Sequence, residues 1–297
     1  NNLKSMAQAK RFTFFILLTC FLVCIYAWTQ IPTGQRISAP FEGREGEPNT
    51  FAAYLLLMMA MIMGFVLNSP NRNLVIMYLF FMGFALIPFI YTLSRGGWIS
   101  FFPMFVAFIF LSRKYKLGLF LFFIAMIILL PYVIPKKVHE RVRETFAPET
   151  TYEVMGKKIG IAESAASRIN AWGLAYKAWL KKPLFGFGVP MGTSIDNQYT
   201  RVLGETGALG FTAFFWILLI VFRMGWFAYT NTRGDPFSQS VSMGFLAGFI
   251  AILVHSFSSA DFILIRVMEP FWFIAAIVAA LPELAQAEMK GVNEPQA

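Results

Sequence analysis

Residues 51–68 read FAAYLLLMMAMIMGFVLN, eighteen consecutive positions without a charged side chain. A run of this kind suits the hydrocarbon core of a bilayer, which a helix of about 17–25 mostly apolar residues can cross. Seven further runs of similar character follow or precede it. They cover residues 12–31, 74–93, 97–112, 117–134, 207–227, 239–259 and 266–283. The sequence therefore predicts an all-α fold, a polytopic transmembrane helical bundle of about eight spans.

The composition of the whole chain agrees with this fold class. Of its 297 residues, 57% are hydrophobic, 14% are charged and 34 are phenylalanine, and the mean hydropathy is +0.60. A soluble domain has about 25% charged residues and could not bury so much apolar surface. A soluble enzyme, a disulfide scaffold and a disordered chain are therefore excluded. The net charge of +9 fits cations gathered at span ends, so nucleic acid is not an expected partner.

Basic residues in the short connections predict which side of the membrane each loop faces. Lys4, Arg72, Arg113 and Arg233 fall on one side if eight spans alternate, and the cytoplasmic side is usually the basic one. Both termini are expected on that side. We expect a single membrane domain over residues 1–297, with a large outer-face loop as the region most suited to function. The outer side receives residues 32–50, 94–97, 135–206 and 260–265.

Within the outer loop 135–206, residues 167–181 predict a helix with one apolar-aromatic stripe. Ile169, Trp172, Tyr176 and Trp179 recur at helical spacing, with lysines beside them. Two interpretations stay open for this helix. It is either a surface helix packed on the membrane domain or an interfacial helix in contact with lipid head groups or a lipid-linked substrate.

The sequence contains no pattern typical of a metal or cofactor site. The two histidines, His139 and His255, fall on different predicted elements, and Cys20 and Cys24 lie inside an apolar run as packing residues. HExxH, CxxC and nucleotide-binding loops are absent from the sequence. We therefore expect neither a metal ion nor a cofactor.

Three polar motifs fall on the predicted outer side. TLSRGGW at 92–98 places Arg95 at the junction of two spans, where Gly96 and Gly97 are expected to let the backbone turn tightly. SR at 167–168 heads the aromatic helix, and DNQY at 196–199 precedes the sixth span, which opens with GALG. Each motif alone has a purely structural interpretation, as an arginine that reaches the head groups, a helix cap or a close helix contact.

Taken together and in this order, four segments resemble the O-antigen ligase and polysaccharide polymerase superfamily. The segments are PFEGREGEPNTFAAYL, TLSRGGWISF, SRINAWGLAYKAWLKKPLFGFG and DNQYTRVLGETGALGF, and the resemblance extends over about residues 30–260. Members of this superfamily are bacterial membrane glycosyltransferases that use glycans linked to undecaprenyl diphosphate. They usually have more spans than this chain, so its N-terminal helices are expected to be missing from the sequence.

The resemblance implies a metal-independent enzyme that transfers a glycan from undecaprenyl diphosphate to a sugar hydroxyl. The reaction would take place at the periplasmic face of the bacterial inner membrane, in the synthesis of lipopolysaccharide or another surface polysaccharide. Its partners would be the lipid-linked donor, a glycan or lipid-linked sugar acceptor, and membrane lipids. Ligases of this family have His followed by Asn where this chain has Asp196-Asn197. Ligase and polymerase therefore both stay open.

The resemblance also assigns roles to the motif residues. Arg95 and Arg168 are predicted to bind the diphosphate, because the arginine fork holds phosphate oxygens in pairs. Asp196 is predicted to orient the acceptor hydroxyl and accept its proton. Four further residues are predicted to contact substrate: Arg36, Asn197, Tyr199 and His255.

Two other function classes would also suit a membrane protein with outer cations. A transporter or flippase for lipid-linked sugars would be expected to carry polar motifs on both faces, often with internal repeats. A non-catalytic membrane subunit would leave Arg95, Arg168 and Asp196 dispersed over the surface. Convergence of these three residues in the fold would distinguish an enzyme from the subunit.

Overall fold

The structure, a computed structural model, describes residues 3–40, 46–133, 135–146, 152–154, 157–159, 163–189 and 195–293. Within these ranges the chain forms ten α-helices and one small antiparallel hairpin. The helices are α1 (Met6–Gln30), α2 (Pro48–Asn68), α3 (Arg72–Tyr91), α4 (Arg95–Leu111), α5 (Lys116–Val133), α6 (Lys136–Phe146), α7 (Glu163–Lys181), α8 (Gln198–Asn231), α9 (Pro236–His255) and α10 (Ile265–Asn293). The hairpin pairs β1 (Tyr152–Val154) with β2 (Lys157–Ile159). The predicted helical bundle is confirmed, with this hairpin as its one described exception.

Each of the eight predicted apolar segments coincides with a helix, but the number of spans is smaller by the criterion of length. Six helices in the described ranges are long and apolar enough to cross a membrane, namely α1, α2, α3, α8, α9 and α10. The apolar helix α4 (Arg95–Leu111) and the apolar part of α5, Lys116–Leu130, are shorter. The chain is thus a multi-pass membrane protein with six candidate spans, and the count of eight is not confirmed.

Helix boundaries follow local chemistry at several ends. Ser94, Asn197 and Asp235 each cap the helix that follows, with a side-chain oxygen that accepts from a backbone N–H of the first turn. Pro48 and Pro236 occupy the first positions of α2 and α9, where a missing N–H costs nothing. All five residues lie at the start of a helix, so they also fix where the preceding loop ends.

The centre of the bundle is the packed pair α2 and α9. Residues 51–62 of α2 are buried throughout, and so is most of α9. Glycines bring the two backbones into contact, since a Cβ at Gly64 would lie 2.1 Å from the Ser240 carbonyl oxygen. A Cβ at Gly244 would likewise lie 2.8 Å from the carbonyl oxygen of Ala60. Small residues at such crossings are the usual means of close helix packing in membranes.

The connections fall alternately at two ends of the bundle. One end, which we call the site end, gathers the loops after α1, α3 and α9 and the segment between α5 and α8. Contacts join these parts: Ile37 N–H donates to the Tyr91 carbonyl at 3.3 Å, and Gln198 N–H donates to the Ser256 carbonyl at 2.9 Å. The opposite end holds the turns at 69–71, 112–115 and 232–235.

Helix α8 contains a break at Gly207, where the backbone adopts φ 65° and ψ −167°. The sixth predicted span begins at this same position. The loop after α7 bonds across the break: Ala208 N–H donates to the Pro183 carbonyl at 2.8 Å, and Gly188 N–H donates to the Glu205 carbonyl at 2.8 Å. The first two turns of α8 are therefore held at the site end as a separate short segment.

Candidate functional site

The TLSRGGW turn at 92–98 begins the site, and its glycines serve a different purpose from the one expected. Leu93, not a glycine, adopts the left-handed conformation, with φ 51°. A Cβ at Gly96 would lie 1.9 Å from Ser258 Oγ, and one at Gly97 would lie 3.0 Å from the Ala52 Cβ. The expectation that these glycines permit a tight turn is wrong. They are needed because α4 begins in contact with the loop after α9 and with α2.

Arg36 lies against this turn from the loop after α1. Its Nε donates to the Thr92 carbonyl at 3.0 Å, and its Nη2 donates to Asn49 Oδ1 at 3.1 Å. Ser94 Oγ donates to the same amide oxygen at 2.9 Å. Arg36 thus joins the start of α2 to the turn that carries Arg95. Its guanidinium is partly used in holding the protein together.

Four arginines gather around this point. Burial lowers the pKa of the Arg36 guanidinium, and the charge of Arg141 lowers it further, while Glu47 raises it. Arg168 and Arg95 lower the same pKa as well. Because charges influence each other mainly within a screening length of about 10 Å, these four side chains lie in one neighbourhood. We call Arg36, Arg95, Arg141 and Arg168 the arginine cluster.

Arg141 was not among the residues predicted from the sequence. It lies in α6, whose sequence KKVHERVRETF has four basic residues besides His139 and looks like an ordinary solvated charged helix. Val138 of this helix is buried, which shows that one face packs on the protein. That apolar position next to basic residues is the signal that could have identified the inward face.

Asp196 contacts the arginine cluster directly. Its Oδ2 lies 3.6 Å from Nε of Arg168, and the two side chains are 55% and 23% exposed. An ion pair this exposed contributes only about 0–1 kcal/mol to folding, so its importance is positional. It brings residues from two separate sequence motifs, at 167–168 and 196–199, into contact.

Asn197 and Tyr199 use their polar atoms inside the protein. The Asn197 amide oxygen accepts from the backbone N–H groups of Tyr199 and Thr200, and its Nδ2 donates to the Phe257 carbonyl at 3.0 Å. The Tyr199 hydroxyl donates to the Leu253 carbonyl at 2.5 Å. These bonds fix the start of α8 to the end of α9 and so set the position of Asp196. Their predicted contact with substrate stays a prediction.

His255 lies beneath the site and is paired with an acid that the sequence reasoning missed. Its Nδ1 is 2.8 and 3.0 Å from the two carboxylate oxygens of Asp261, and both side chains are fully buried. Ser256 Oγ also donates to Asp261 at 3.1 Å. A Cβ at Gly96 would lie 3.6 Å from the His255 ring. The pair therefore supports the turn from below, and its contact with substrate is also a prediction.

The signal for this pair was present in LVHSFSSADF, where a histidine and an aspartate flank a short loop at the end of a span. Ionisable residues at such depth are costly unless they are paired.

In the described ranges, no three His, Cys, Asp or Glu side chains are grouped so that they could hold a metal ion. A cavity of about 350 Å³ lies between α1 and α10, lined by Phe12, Phe15 and Glu269 among others, and none of the predicted site residues lines it.

The fold and the cluster together define a class: a multi-pass helical membrane protein with a cationic group and a paired carboxylate at one end of its bundle. The family model described as O-antigen ligase matches residues 80–215. This match confirms the family resemblance drawn from the sequence motifs. The matched range includes Arg95, Arg141, Arg168 and Asp196, while Arg36 and the pair of His255 with Asp261 lie outside it. Comparison with curated proteins gives no match.

Proposed function

We propose that the protein is a membrane glycosyltransferase that moves a glycan from undecaprenyl diphosphate to a sugar hydroxyl at the periplasmic face of the bacterial inner membrane. One observation carries this proposal: Asp196 contacts Arg168 within a cluster that also contains Arg95. An acceptor-side carboxylate and donor-side cations are then adjacent, as the reaction requires.

The arginine cluster would bind the diphosphate of the donor. During transfer the bond between the anomeric carbon and the diphosphate oxygen breaks, and the electron pair leaves with the diphosphate. Guanidinium groups stabilise this developing charge because they stay ionised and donate to phosphate oxygens in pairs. The sequence carries no metal-binding pattern, so arginine is the source of positive charge in this proposal.

Asp196 would act on the acceptor. The acceptor hydroxyl oxygen forms the new bond to the anomeric carbon, and its proton passes to the carboxylate. Aspartate is a weak base, but a transition state with oxocarbenium character needs little base strength, because the electrophile is already reactive. Arg168, in contact with the same carboxylate, would also keep the acceptor side close to the leaving group.

The choice between ligase and polymerase turns on the acceptor. Asp196 stands where ligases of the family have histidine, which is compatible with a polymerase or with a divergent ligase. The proposed acceptor is either a glycan or a lipid-linked sugar, and the acceptor that is used would distinguish the two activities. The assay therefore has to offer both acceptors.

The test uses purified protein in liposomes with an undecaprenyl-diphosphate-linked glycan and each acceptor. Arg95→Lys and Arg168→Lys retain charge but lose the bidentate fork, so transfer should fall at least tenfold. Asp196→Asn should lower transfer about 10²–10⁴-fold while donor binding is retained. Arg233→Lys and Asp235→Asn, at the opposite end of the bundle, are matched controls. Wild-type transfer by the three site variants would refute the assignment.

A further inference from the structure

The most buried residues of α7 are small ones and not those of the predicted aromatic stripe. Ala166, Ala171 and Ala175 are buried. Ile169, Trp172 and Trp179 of the stripe are half-buried, and Tyr176 is 52% exposed. Leu174 is also 68% exposed. The helix therefore packs through its alanine side and presents large apolar side chains outward. Such a helix needs another environment for that outward side.

The loop that follows α7 continues this apolar surface. Leu184, Phe185 and Val189 are 57%, 75% and 73% exposed. These are not side chains on a free loop, because backbone bonds to the α8 break fix their position. Leu209 N–H donates to the Leu184 carbonyl at 3.2 Å, which places the exposed side chains beside the membrane-spanning part of α8.

The α8 surface at this level is apolar and exposed. Leu209 itself is 55% exposed, and Trp216, two turns further along the helix, is 64% exposed. Both lie in a helix long and apolar enough to cross the bilayer. The exposed side chains of the loop are therefore continuous with the exposed apolar surface of a candidate membrane span.

Lysines share this surface. Lys177 lies three residues from both Leu174 and Leu180, on the same helix face. Lys177, Lys181 and Lys182 are exposed, and Nζ of Lys182 lies 4.7 Å from the centre of the Phe187 ring. Exposed apolar side chains accompanied by lysines are typical of helices that lie in the membrane interface, where the cations meet lipid phosphates.

We propose that residues 174–189, which we name the interfacial segment, insert their exposed apolar side chains into the outer leaflet, with the three lysines on the phosphates of anionic lipids. Arg168 lies on the same helix, thirteen residues before Lys181, or about 20 Å along the axis. A helix held in the plane of the interface keeps Arg168 at head-group depth. The insertion itself does not rest on the proposed function.

The test places a nitroxide label on a cysteine introduced by Phe185→Cys, in the full chain in nanodiscs. The two native cysteines are first removed by Cys20→Ala and Cys24→Ala, so that only position 185 is labelled. Label at Gln35→Cys, in an exposed loop at the same end, is the aqueous reference. Label at Trp216→Cys is the lipid reference. We expect position 185 to be accessible to oxygen and shielded from a water-soluble nickel complex, like position 216. Accessibility to the nickel complex equal to that at position 35 would overturn the proposal.

A second measurement examines the lysines with the same label. The depth of the label at position 185 is compared between nanodiscs of phosphatidylcholine alone and nanodiscs that also contain phosphatidylglycerol. The comparison is made in the labelled chain with its native lysines, called the parent, and in a triple variant that combines Lys177→Gln, Lys181→Gln and Lys182→Gln. The anionic lipid should deepen the label in the parent and not in the triple variant, and Lys114→Gln at the opposite end should behave like the parent. Equal depth in both lipids for the parent would refute the lysine contact. Transfer activity is not measured here, so failure of this proposal is distinguishable from failure of the proposed function.

Discussion

Gly207→Ala should detach the loop 182–189 from α8 and so test how the site is held. Gly207 has φ 65° and ψ −167°, a region that side chains other than glycine occupy at a cost of about 1–3 kcal/mol. A Cβ there would lie 2.4 Å from both the carbonyl carbon and the carbonyl oxygen of Leu184, and 2.6 Å from the Gly186 nitrogen. These are backbone atoms that cannot rotate away, so the loop must shift.

The shift would break the backbone bonds across the break, which include Phe187 N–H to the Gly204 carbonyl and Ala208 N–H to the Pro183 carbonyl. Each such bond contributes about 0.5–1.5 kcal/mol net. Adding the strain at Gly207 to these two bonds gives a total loss of about 2–6 kcal/mol, which reaches the range of severe single substitutions. Part of this loss will appear as local detachment and not as global unfolding.

The assay compares thermal unfolding of Gly207→Ala with that of Gly83→Ala, both in detergent. Gly83 lies inside α3, and a Cβ there would meet nothing within 4 Å, so alanine should stabilise that helix slightly. We expect a lower midpoint for Gly207→Ala and faster hydrogen exchange at 183–189. Transfer should also weaken, because the first two turns of α8, which follow Asp196, lose their backbone bonds to this loop. Equal midpoints and equal exchange in the two variants would refute this reasoning.

Three further variants examine the turn and its supports. Gly96→Ala should destabilise the protein, since its Cβ would lie 1.9 Å from Ser258 Oγ, and Ser258→Gly should restore the unfolding midpoint in the double variant. Asp261→Asn should cost about 1–3 kcal/mol by weakening its buried hydrogen bonds with His255 and Ser256, as measured by thermal unfolding; an unchanged midpoint would exclude that pair. Arg36→Lys should weaken diphosphate binding by calorimetry, because it loses the bonds to Thr92 and Asn49.

Much of the bundle could be predicted from hydropathy alone. Each of the eight apolar runs became a helix, because a long apolar segment has few other ways to satisfy its backbone in a membrane. The start of the sixth span at residue 207 coincides with a real break in α8. The count of eight spans is not confirmed at α4 and α5, whose apolar helices are shorter than the other six, because apolar composition alone does not determine the length of a helix.

The candidate site could be predicted only where a motif carried it. Arg168 and Asp196 were expected in one site, and their contact at 3.6 Å fits that expectation. Arg141 and Asp261 were missed, because their importance depends on which residues the fold brings beside them. The glycines at 96 and 97 were assigned to a turn, whereas the structure uses them for helix contact. Local sequence cannot distinguish these two uses.

The arginine cluster itself is an argument for an anionic substrate. Guanidinium groups that gather repel one another, and burial adds a second cost, as the lowered pKa of Arg36 reflects. Hydrogen bonds to Thr92 and Asn49 hold Arg36 in this costly position, so the arrangement is imposed by the fold. A diphosphate would offset much of the repulsion when it binds, and a ligand that binds only the folded protein raises its stability with concentration. The unfolding midpoint should therefore rise with a prenyl diphosphate in the wild type and rise less in Arg168→Lys, and an equal rise in both would place the anion elsewhere.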